Sequence, residues 1–354
     1  MLQSPLMKNS PISPKLFQKK LLAWFDQFGR KNLPWQRQKN PYRVWVSEIM
    51  LQQTQVQTVI PYFERFMAKF PTIDALATAD EDTVLHLWTG LGYYQRARHL
   101  LKAARQVLEV FSGKLPSEVM ALMTLPGIGR STAGAIRSLA FEQPAIILDG
   151  NVKRVLSRLF AIQTVIPDEK LWEIAASYSS PTRCADYTQA IMDLGATLCV
   201  RGTPQCYHCP FNKHCLSFLQ GIEKTLPLKK PRKHLPIKTT QFAILQFKNG
   251  VLLEKRPGKG VWSGLWSFPE MSEKEFTVWC QQTFQCQIKK ITKHPTFRHS
   301  FTHFHLDITP IFFQVVKNFD KAIAEENYFW YNLHQQPEIG LPAPVKSILS
   351  SINP

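Results

Sequence analysis

Four of the seven cysteines lie close together, with the spacing C-x6-C-x2-C-x5-C. Four thiolates at Cys199, Cys206, Cys209 and Cys215 can hold either Zn²⁺ or a [4Fe–4S] cluster, and the spacing alone leaves both open. A redox pair of Cys206 and Cys209 is less favoured, because it would leave Cys199 and Cys215 without a role. The remaining cysteines are scattered, so the pattern indicates one metal or cluster site and no secreted disulfide framework.

Two acidic residues, Glu48 and Asp149, stand in settings that suit proton and charge chemistry. Glu48 lies among apolar residues in VWVSEIM, on a predicted helix. Such surroundings raise the pKa of a carboxyl group and let it donate a proton near neutral pH. The simpler alternatives are an ordinary residue of an amphipathic helix for Glu48 and an N-cap for Asp149, which precedes a predicted helix. Spacing cannot pair two acids so far apart in the chain.

The segment LMTLPGIGRSTAGAI, residues 122–136, joins two helical patterns. It predicts a helix-hairpin-helix, in which Gly127 and Gly129 let the backbone approach a DNA phosphate at the N-terminus of the second helix. A dinucleotide-binding turn is less favoured, because Pro126 argues against a preceding strand and the third glycine is missing. A plain tight turn between two helices is the simpler alternative.

These residues need an array of helices to bring them together. Residues 1–14 are rich in serine and proline and are expected to form a flexible tail. The region 15–225 is predicted to be an all-α domain that ends in the cysteine loop 199–215. Its predicted helices cover 16–28, 44–60, 61–69, 81–88, 95–111, 117–123, 130–140, 151–160, 168–178 and 185–199.

The periodicity changes after a basic segment. Residues 226–238, LPLKKPRKHLPIK, contain no acidic residue and are predicted to be an extended linker. Beyond it, QFAILQF and VLLEKR flank Lys248-Asn249-Gly250, which is a hairpin signal. FTHFHLDI and IFFQVV alternate as strands, and EKEFTVWCQQTF predicts a helix. Residues 239–354 are therefore expected to form an α/β domain.

Length and charge narrow the class of protein. The 354 residues suffice for two domains, and 43 Lys and Arg against 26 Asp and Glu give a formal charge of +17. This surplus favours a polyanionic partner, above all nucleic acid, although a generic basic enzyme would also carry it. No apolar run is long enough to cross a membrane. We expect a cytoplasmic, nucleoid-associated protein with no membrane partner.

Taken together, the motifs resemble those of the endonuclease III superfamily of DNA glycosylases. The resemblance rests on LPGIGRSTAGAI, ILDGNVKR, LQQTQV, GLGYY and the four-cysteine spacing. Within that superfamily, NLPWQ, YRVWVSEIMLQQTQV, LHLWTGLGYYQRAR and FRHSFTHFHLDI are similar to the MutY family of adenine DNA glycosylases. The similarity covers nearly the whole chain after residue 15. It implies a helix-hairpin-helix glycosylase domain with a [4Fe–4S] cluster on the four cysteines, followed by a Nudix-like domain.

The resemblance also implies a reaction. A monofunctional base excision repair enzyme would flip out adenine mispaired with 8-oxoguanine or guanine and leave an abasic site. Glu48 would protonate adenine at N7, and Asp149 would stabilise the oxocarbenium-like sugar, as paired carboxylates do in glycosidases. Asn151, otherwise a helix-start residue, would be the partner of Asp149. Ser131 stands where related bifunctional glycosylases carry a Schiff-base lysine, so efficient strand cleavage is not expected.

Contacts to DNA follow from the same resemblance. Gln53 and Tyr93 would fill or wedge the duplex near the lesion. Further contacts to DNA are expected at Gly127, Gly129, Ser131 and Lys153. The adenine pocket would be lined by Arg30, Trp35 and Gln189. The simpler alternatives are that Gln53 is a solvated helix residue and Tyr93 a packed aromatic, and that the three pocket residues are ordinary packing or surface residues.

In this family the Nudix-like domain recognises 8-oxoguanine. Phe301, Thr302 and His303 align with a Phe-Ser-His lesion-sensing loop, and Thr302 keeps the hydroxyl while adding a methyl group. The run from Gly264 to Glu270 matches the opening of the Nudix hydrolase box, but the acidic pairs that hold Mg²⁺ do not follow, so hydrolase activity is not expected. His303 and His305 are expected to share one face of a strand, near two further histidines, His294 and His299. A metal site on these four residues is disfavoured, because no carboxylate completes a ligand set and the lesion-sensing loop already accounts for His303.

Two alternatives of other kinds remain open. One is an oxidised-pyrimidine glycosylase with lyase activity, against which Ser131 and the extra C-terminal domain both speak. The other is a noncatalytic damage sensor, since a fold does not determine a function. Intact Glu48 and Asp149 argue against a sensor. The expected partner is double-stranded DNA with an 8-oxoguanine:adenine or guanine:adenine mispair, bound by a monomer; protein partners of the linker are unknown.

Overall fold

The computed structural model describes residues 10–228, 234–284, 287–315 and 327–352. The chain divides into two compact units. The N-terminal unit holds the described residues up to 78 and from 99 to 228. The C-terminal unit holds residues 79–98 together with the described residues from 234 onward. Each unit has its own buried core.

Helices follow one another up to residue 219, as the sequence predicts. They are α1 (Pro14–Phe28), α2 (Pro41–Leu51), α3 (Val56–Lys69), α4 (Ile73–Ala77), α5 (Glu81–Trp88), α6 (Gln95–Val110), α7 (Val119–Met123), α8 (Arg130–Phe141), α9 (Gly150–Leu159), α10 (Asp168–Tyr178), α11 (Cys184–Thr197) and α12 (Leu216–Leu219). Side chains that accept hydrogen bonds from first-turn N–H groups fix several helix starts. They belong to Ser13, Asn40, Thr72, Asp80 and Asp149. No helix within these described ranges combines the length and apolar character of a membrane span.

The predicted boundary between the helices 44–60 and 61–69 is wrong. Helix α2 ends at Leu51, Gln53 has a φ of 59°, and α3 begins at Val56 and continues through Pro61. Proline suggests a break because it lacks an N–H group. Here the buried apolar face of α3 outweighs the lost hydrogen bond. The real turn lies in a run of glutamines without glycine or proline, so no sequence signal marks it.

Residues at the end of the predicted tail and at both ends of the predicted linker are packed or belong to regular structure. Residues 1–9 lie outside the described part of the chain, but Ile12 is buried and the Ser10 hydroxyl lies 2.5 Å from the Tyr178 hydroxyl. At the other end, Leu226 is buried in the helical unit, and the first strand already begins at Ile237. Within the predicted linker 226–238, residues 229–233 lie outside the described residues.

From residue 234 onward, the described part of the C-terminal unit contains a mixed sheet of seven strands and two further helices. The elements are β1 (Ile237–Phe247), β2 (Gly250–Lys255), β3 (Trp266–Ser267), α13 (Glu273–Phe284), β4 (Ile288–Lys293), β5 (Phe297–Ser300), β6 (His305–Val315), β7 (Tyr328–Asn332) and α14 (Ala343–Ile352). The strand order is β3-β2-β1-β6-β4, with β5 paired to β6 and β7 to β2. Strands β1 and β6 run parallel, and the other pairs are antiparallel.

Two predictions for this sheet can be compared with its register. Phe247 pairs with Gly250, so Lys248 and Asn249 form a two-residue turn, and the predicted hairpin is confirmed. The two strands predicted in FTHFHLDI and IFFQVV are one strand, β6, and residues 301–304 form the turn before it. The premise that His303 and His305 share a strand face is therefore wrong. Helix α14 was not predicted from the sequence.

Helix α5 and the loop after it pack in the C-terminal unit, although the sequence predicts an uninterrupted helical domain over 15–225. The Asp82 carboxylate accepts from the Lys255 ammonium at 2.9 Å and from the Trp266 indole at 3.3 Å. The Tyr94 hydroxyl donates to the Leu341 carbonyl at 2.8 Å. Helical periodicity shows that α5 has a buried face, but it cannot show which core covers that face.

In the N-terminal unit, α8 packs close to the segment that leads into α9. A Cβ at Gly134 would lie 2.2 Å from the Ile146 carbonyl oxygen, which is backbone and cannot move aside. We therefore expect Gly134→Ala to lower the free energy of unfolding by about 1–3 kcal/mol through overpacking.

The matched control is Gly150→Ala, since a Cβ at Gly150 meets nothing within 4 Å. Its change should stay within about 0.5 kcal/mol. Denaturant unfolding measures both, and equal stabilities of the two variants would contradict the close packing.

Candidate active site and cysteine loop

Helix α2 places Glu48 between the buried residues Ser47 and Ile49. Burial, together with the smaller effect of the negative charge of Asp149, raises the pKa of Glu48 to about 8. The charge of Asp149 acts on Glu48, so the fold places within electrostatic reach of each other two carboxyls that spacing could not pair. At neutral pH Glu48 is protonated and can donate its proton.

Asp149 caps helix α9, and its side chain is fixed by donors. One carboxylate oxygen accepts from the Val152 N–H at 2.8 Å, and the other accepts from the Asn151 side-chain amide at 3.1 Å. Burial raises the pKa of Asp149, and these hydrogen bonds oppose that rise because they stabilise the charged form. The N-cap interpretation is therefore correct, and it also gives the carboxylate a fixed orientation beside Glu48.

A buried arginine connects this cap to the cysteine loop. The Arg154 guanidinium donates to the Asn151 side-chain oxygen at 2.8 Å and to the Gly195 carbonyl at 2.6 Å. It also donates to the Cys199 carbonyl at 2.6 Å. Because Arg154 takes the amide oxygen of Asn151, the amide nitrogen must face Asp149. Arg154 is not predicted from the sequence, since an arginine on an amphipathic helix gives no signal that it is buried.

The four cysteines of the loop line one cavity, together with Arg158 from α9. The Arg158 guanidinium lies 3.3 Å from the Cys199 sulfur and also donates to the Val200 and Leu226 carbonyls. Burial raises the pKa of the Cys206 thiol to about 11 and that of Cys209 to about 12. A bound cation or cluster would offset this by stabilising thiolates. Among the described residues, no group of His, Cys, Asp or Glu converges as ligands of a single metal ion.

A cavity of about 290 Å³ opens next to α2. Trp35 and Gln189, two of the three predicted pocket residues, line it with Val44 and Ser47. The third, Arg30, is not among its lining residues. Its guanidinium instead forms an ion pair with Asp193.

Asp193 explains how these pocket residues are held. The buried Asp193 carboxylate lies 2.6 Å from the Arg30 guanidinium and accepts from the Gln189 amide at 2.8 Å. Arg30 therefore orients Gln189 through Asp193. One signal in the sequence points to Asp193. It follows Gln189 by one helical turn, so the two side chains lie on the same face of the helix.

The predicted helix-hairpin-helix consists of α7, the turn 124–129 and α8. Gly127 has a φ of 82°, and its carbonyl accepts from the Gln52 side chain at 3.2 Å. Gly129 caps α8, and a Cβ there would meet nothing within 4 Å. The Ser131 hydroxyl accepts from the Leu148 N–H at 3.0 Å, which joins the hairpin to the segment before Asp149.

The remaining predicted DNA contacts are exposed or ion-paired. Gln53 and Tyr93 are both exposed and both have a left-handed φ, of 59° and 51°. Such conformations are uncommon for non-glycine residues and are concentrated at functional sites. Gln53 lies in the N-terminal unit and Tyr93 in the C-terminal unit. The Lys153 ammonium forms an exposed ion pair with Asp168 at 2.5 Å.

The predicted lesion-sensing residues form the turn between β5 and β6. The Phe301 N–H donates to the Phe304 carbonyl at 2.9 Å, which closes the turn. Thr302 and His303 are exposed at its tip, and their side chains lie 3.3 Å apart. The half-buried Phe301 ring stacks on Phe304 with a centroid distance of 4.5 Å. Polar side chains thus lie at the tip of the turn, and aromatic rings pack together behind them.

Two family models match successive parts of the chain, and the first match includes residues 79–98, which pack in the C-terminal unit. Residues 46–180 match the family model of the HhH-GPD superfamily base excision DNA repair protein, and residues 240–351 match that of a NUDIX domain. The adenine DNA glycosylase of Buchnera aphidicola subsp. Baizongia pistaciae (strain Bp) is 42% identical over 342 residues, covering 95% of this chain and 97% of that protein.

Solved structures resemble the helical region. A thermostable thymine-DNA glycosylase has a TM-score of 0.54 at 27% identity, over 58% of this chain and 97% of that one. A non-covalent endonuclease III–DNA complex has a TM-score of 0.52 at 21% identity, over 60% of this chain and 100% of that one, and shows the likeness of fold alone. The predicted helix-hairpin-helix glycosylase fold and the Nudix-like domain are confirmed.

The raised pKa of Glu48 predicts a pH-dependent change in stability. Between the ordinary value of 4.5 and the folded value of about 8, the unfolded chain releases a proton that the folded protein keeps. The stability contributed by the protonated carboxyl is therefore present below about pH 4.5 and is lost as the pH rises toward 8. We expect Glu48→Gln to raise the free energy of unfolding by about 1–3 kcal/mol at pH 8.5 and by much less at pH 5.

Denaturant unfolding at the two pH values measures this difference. The exposed Glu64 on α3 supplies the matched control, and Glu64→Gln should show no comparable pH dependence. A Glu48→Gln effect of the same size at both pH values would argue against a protonated, buried carboxyl.

Proposed function

This chain belongs to the adenine DNA glycosylase family of base excision repair, and we propose that it excises adenine mispaired with 8-oxoguanine, and also with guanine, from double-stranded DNA. The feature that carries the mechanism is Glu48, whose pKa is raised to about 8 by burial and by the charge of Asp149. An adenine anion is a poor leaving group, so the N-glycosidic bond breaks readily only when the base is protonated as it leaves. Glu48 would supply that proton to N7.

Asp149 would act on the sugar. Loss of the base leaves an oxocarbenium-like centre, and a carboxylate held by the Val152 N–H and by Asn151 can stabilise that charge without rearranging. Water then completes the reaction and leaves an abasic site. Ser131 offers a hydroxyl that is bonded to the Leu148 N–H, with no amine to form a Schiff base, which supports a monofunctional enzyme.

The flipped adenine would enter the cavity next to α2. Trp35 offers an apolar face, and Gln189 offers an amide held in place by Asp193. Such a pocket combines stacking with fixed polar groups that meet the edge of a base. Arg30 would act from behind Asp193, as a residue that orients the pocket.

DNA would be held by several separate features. The open backbone at Gly129 and the N-terminus of α8 suit a phosphate, and the formal charge of +17 strengthens the attraction. Lys153 would have to exchange Asp168 for a phosphate. The exposed, left-handed positions of Gln53 and Tyr93 support their role in the opened duplex. Thr302 and His303 would contact 8-oxoguanine. We place the enzyme with its DNA, at the nucleoid in the cytoplasm.

The cysteine loop would hold a [4Fe–4S] cluster. Cys199, Cys206, Cys209 and Cys215 line one cavity, and four cysteine thiolates are the ligand set of such a cluster. The Arg158 guanidinium beside the Cys199 sulfur suits the negative charge of a thiolate-bound cluster. When bound, the cluster would cross-link the loop to the end of α11.

The cluster proposal predicts about four irons per chain in the protein purified without chelators, with visible absorbance. Cys209→Ser should lose most of this iron. Cys184→Ser is the matched control, because Cys184 is buried outside the loop and its thiol contacts the Glu142 carbonyl. Stoichiometric zinc in place of iron would refute the proposal.

The glycosylase proposal predicts selective removal of adenine. Duplexes with 8-oxoguanine:adenine, guanine:adenine or an oxidised pyrimidine are incubated with the protein, and strand breaks are scored with and without alkali. We expect alkali-dependent breaks at the adenine opposite 8-oxoguanine. Glu48→Gln should slow them by about 10²–10⁴-fold, as expected for loss of a general acid.

Glu64→Gln is the control for the substitution and should leave the rate unchanged. Breaks at the oxidised pyrimidine without alkali would instead indicate a glycosylase with lyase activity. Tight binding without any base removal would indicate a damage sensor, and either result would contradict the proposal.

A further inference from the structure

An aromatic cluster lies beneath the lesion-sensing turn. The Trp262 ring is 5.5 Å from the Phe301 ring and 5.6 Å from the His299 ring, and His299 packs edge-on to Phe301 at 4.8 Å. Trp262 is buried, with 8% of its surface exposed. Burial lowers the pKa of His299, which favours the neutral ring. Phe301 is the first residue of the turn that carries Thr302 and His303, and the Trp262 ring packs against it.

The backbone at Trp262 is held in an uncommon conformation. Its φ is 54°, a left-handed value that bulky side chains rarely adopt unless their surroundings impose it. The Leu265 N–H donates to the Trp262 carbonyl at 2.9 Å and closes a tight turn around Ser263 and Gly264. This geometry aims the indole at the lesion-sensing turn rather than at solvent.

Arg98 holds this tight turn from the other side. Its guanidinium donates to the Ser263 hydroxyl and forms an ion pair with Glu81 at 2.9 Å. A Cβ at Gly264 would lie 3.0 Å from the same Glu81 carboxylate, so the turn rests directly on the ion pair. Arg98 and Glu81 belong to residues 79–98, the segment that also carries Tyr93 and that packs in the C-terminal unit.

We propose that Trp262 is a positioning residue for the 8-oxoguanine-recognising turn, and that Arg98 fixes Trp262 from the segment that carries Tyr93. The inference rests on the proposed function. Because Trp262 holds Phe301, the turn loses less conformational freedom when Thr302 and His303 contact the lesion. The affinity for the 8-oxoguanine duplex is therefore higher. Trp262 would contribute to selectivity for 8-oxoguanine and not to the chemical step, since Glu48 and Asp149 lie in the other unit.

The test is the ratio of kcat/KM for 8-oxoguanine:adenine to that for guanine:adenine. Trp262→Leu should lower this ratio about tenfold, mainly through a higher KM for the 8-oxoguanine duplex, with kcat and the guanine:adenine rate retained. Trp262→Phe should restore part of the ratio. Ser263→Ala, which removes the acceptor for Arg98 while sparing every aromatic ring, should lower the ratio in the same direction by a smaller factor.

Trp279→Leu is the matched control, because Trp279 lies on α13 and packs against Phe276 and Tyr328. An unchanged ratio in Trp262→Leu would overturn the inference, and so would an equal loss in Trp279→Leu. If Trp262→Leu fails to fold, an unchanged ratio in Ser263→Ala would overturn it. A ratio of one in the unsubstituted chain would overturn the proposed recognition of 8-oxoguanine as well, so the two failures are distinguishable.

Discussion

The arrangement of the N-terminal unit depends on how helix α9 begins. Asp149 must accept hydrogen bonds from the first turn of α9 and must also lie near Glu48, and both demands fall on one carboxylate. Neighbouring residues hold the Asp149 carboxylate in a position that meets both requirements. The absence of a side chain at Gly195 lets α11 approach Asn151, since a Cβ there would lie 2.6 Å from the Asn151 Cβ. The Ser131 hydroxyl ties α8 to the residue before Asp149.

The same helix joins the carboxyl pair to the cysteine loop. Arg154 and Arg158 lie one turn apart on α9, and both are buried with their guanidinium groups directed at the loop. Buried arginines are stable only where carbonyl or anionic groups satisfy their donors. The loop carbonyls do so here. Ordering of the loop and orientation of Asn151 are therefore coupled through one side chain, Arg154.

The sequence was sufficient for the residue types at the site and for the helical order, but not for several local features. Glu48, Asp149 and the four cysteines stand in motifs long enough to identify a family. The left-handed turn at Gln53 was missed, because its residues carry no turn signal. Burial of Arg154 and Asp193 was missed, because charged residues on helices usually face solvent. The unit in which residues 79–98 pack was also missed, since it depends on contacts distant in sequence.

The chain passes between the two compact units three times, because residues 79–98 belong to the C-terminal unit and interrupt the N-terminal one. In structural terms the C-terminal unit is a discontinuous module. A chain that ended at the linker would retain α5 but lose Lys255, which binds Asp82, and Leu341, whose carbonyl binds Tyr94. It would also lose Gly340, whose backbone lies close to the Leu85 side chain. A change after the linker therefore also alters the surroundings of α5, which lies more than 130 residues earlier in the sequence.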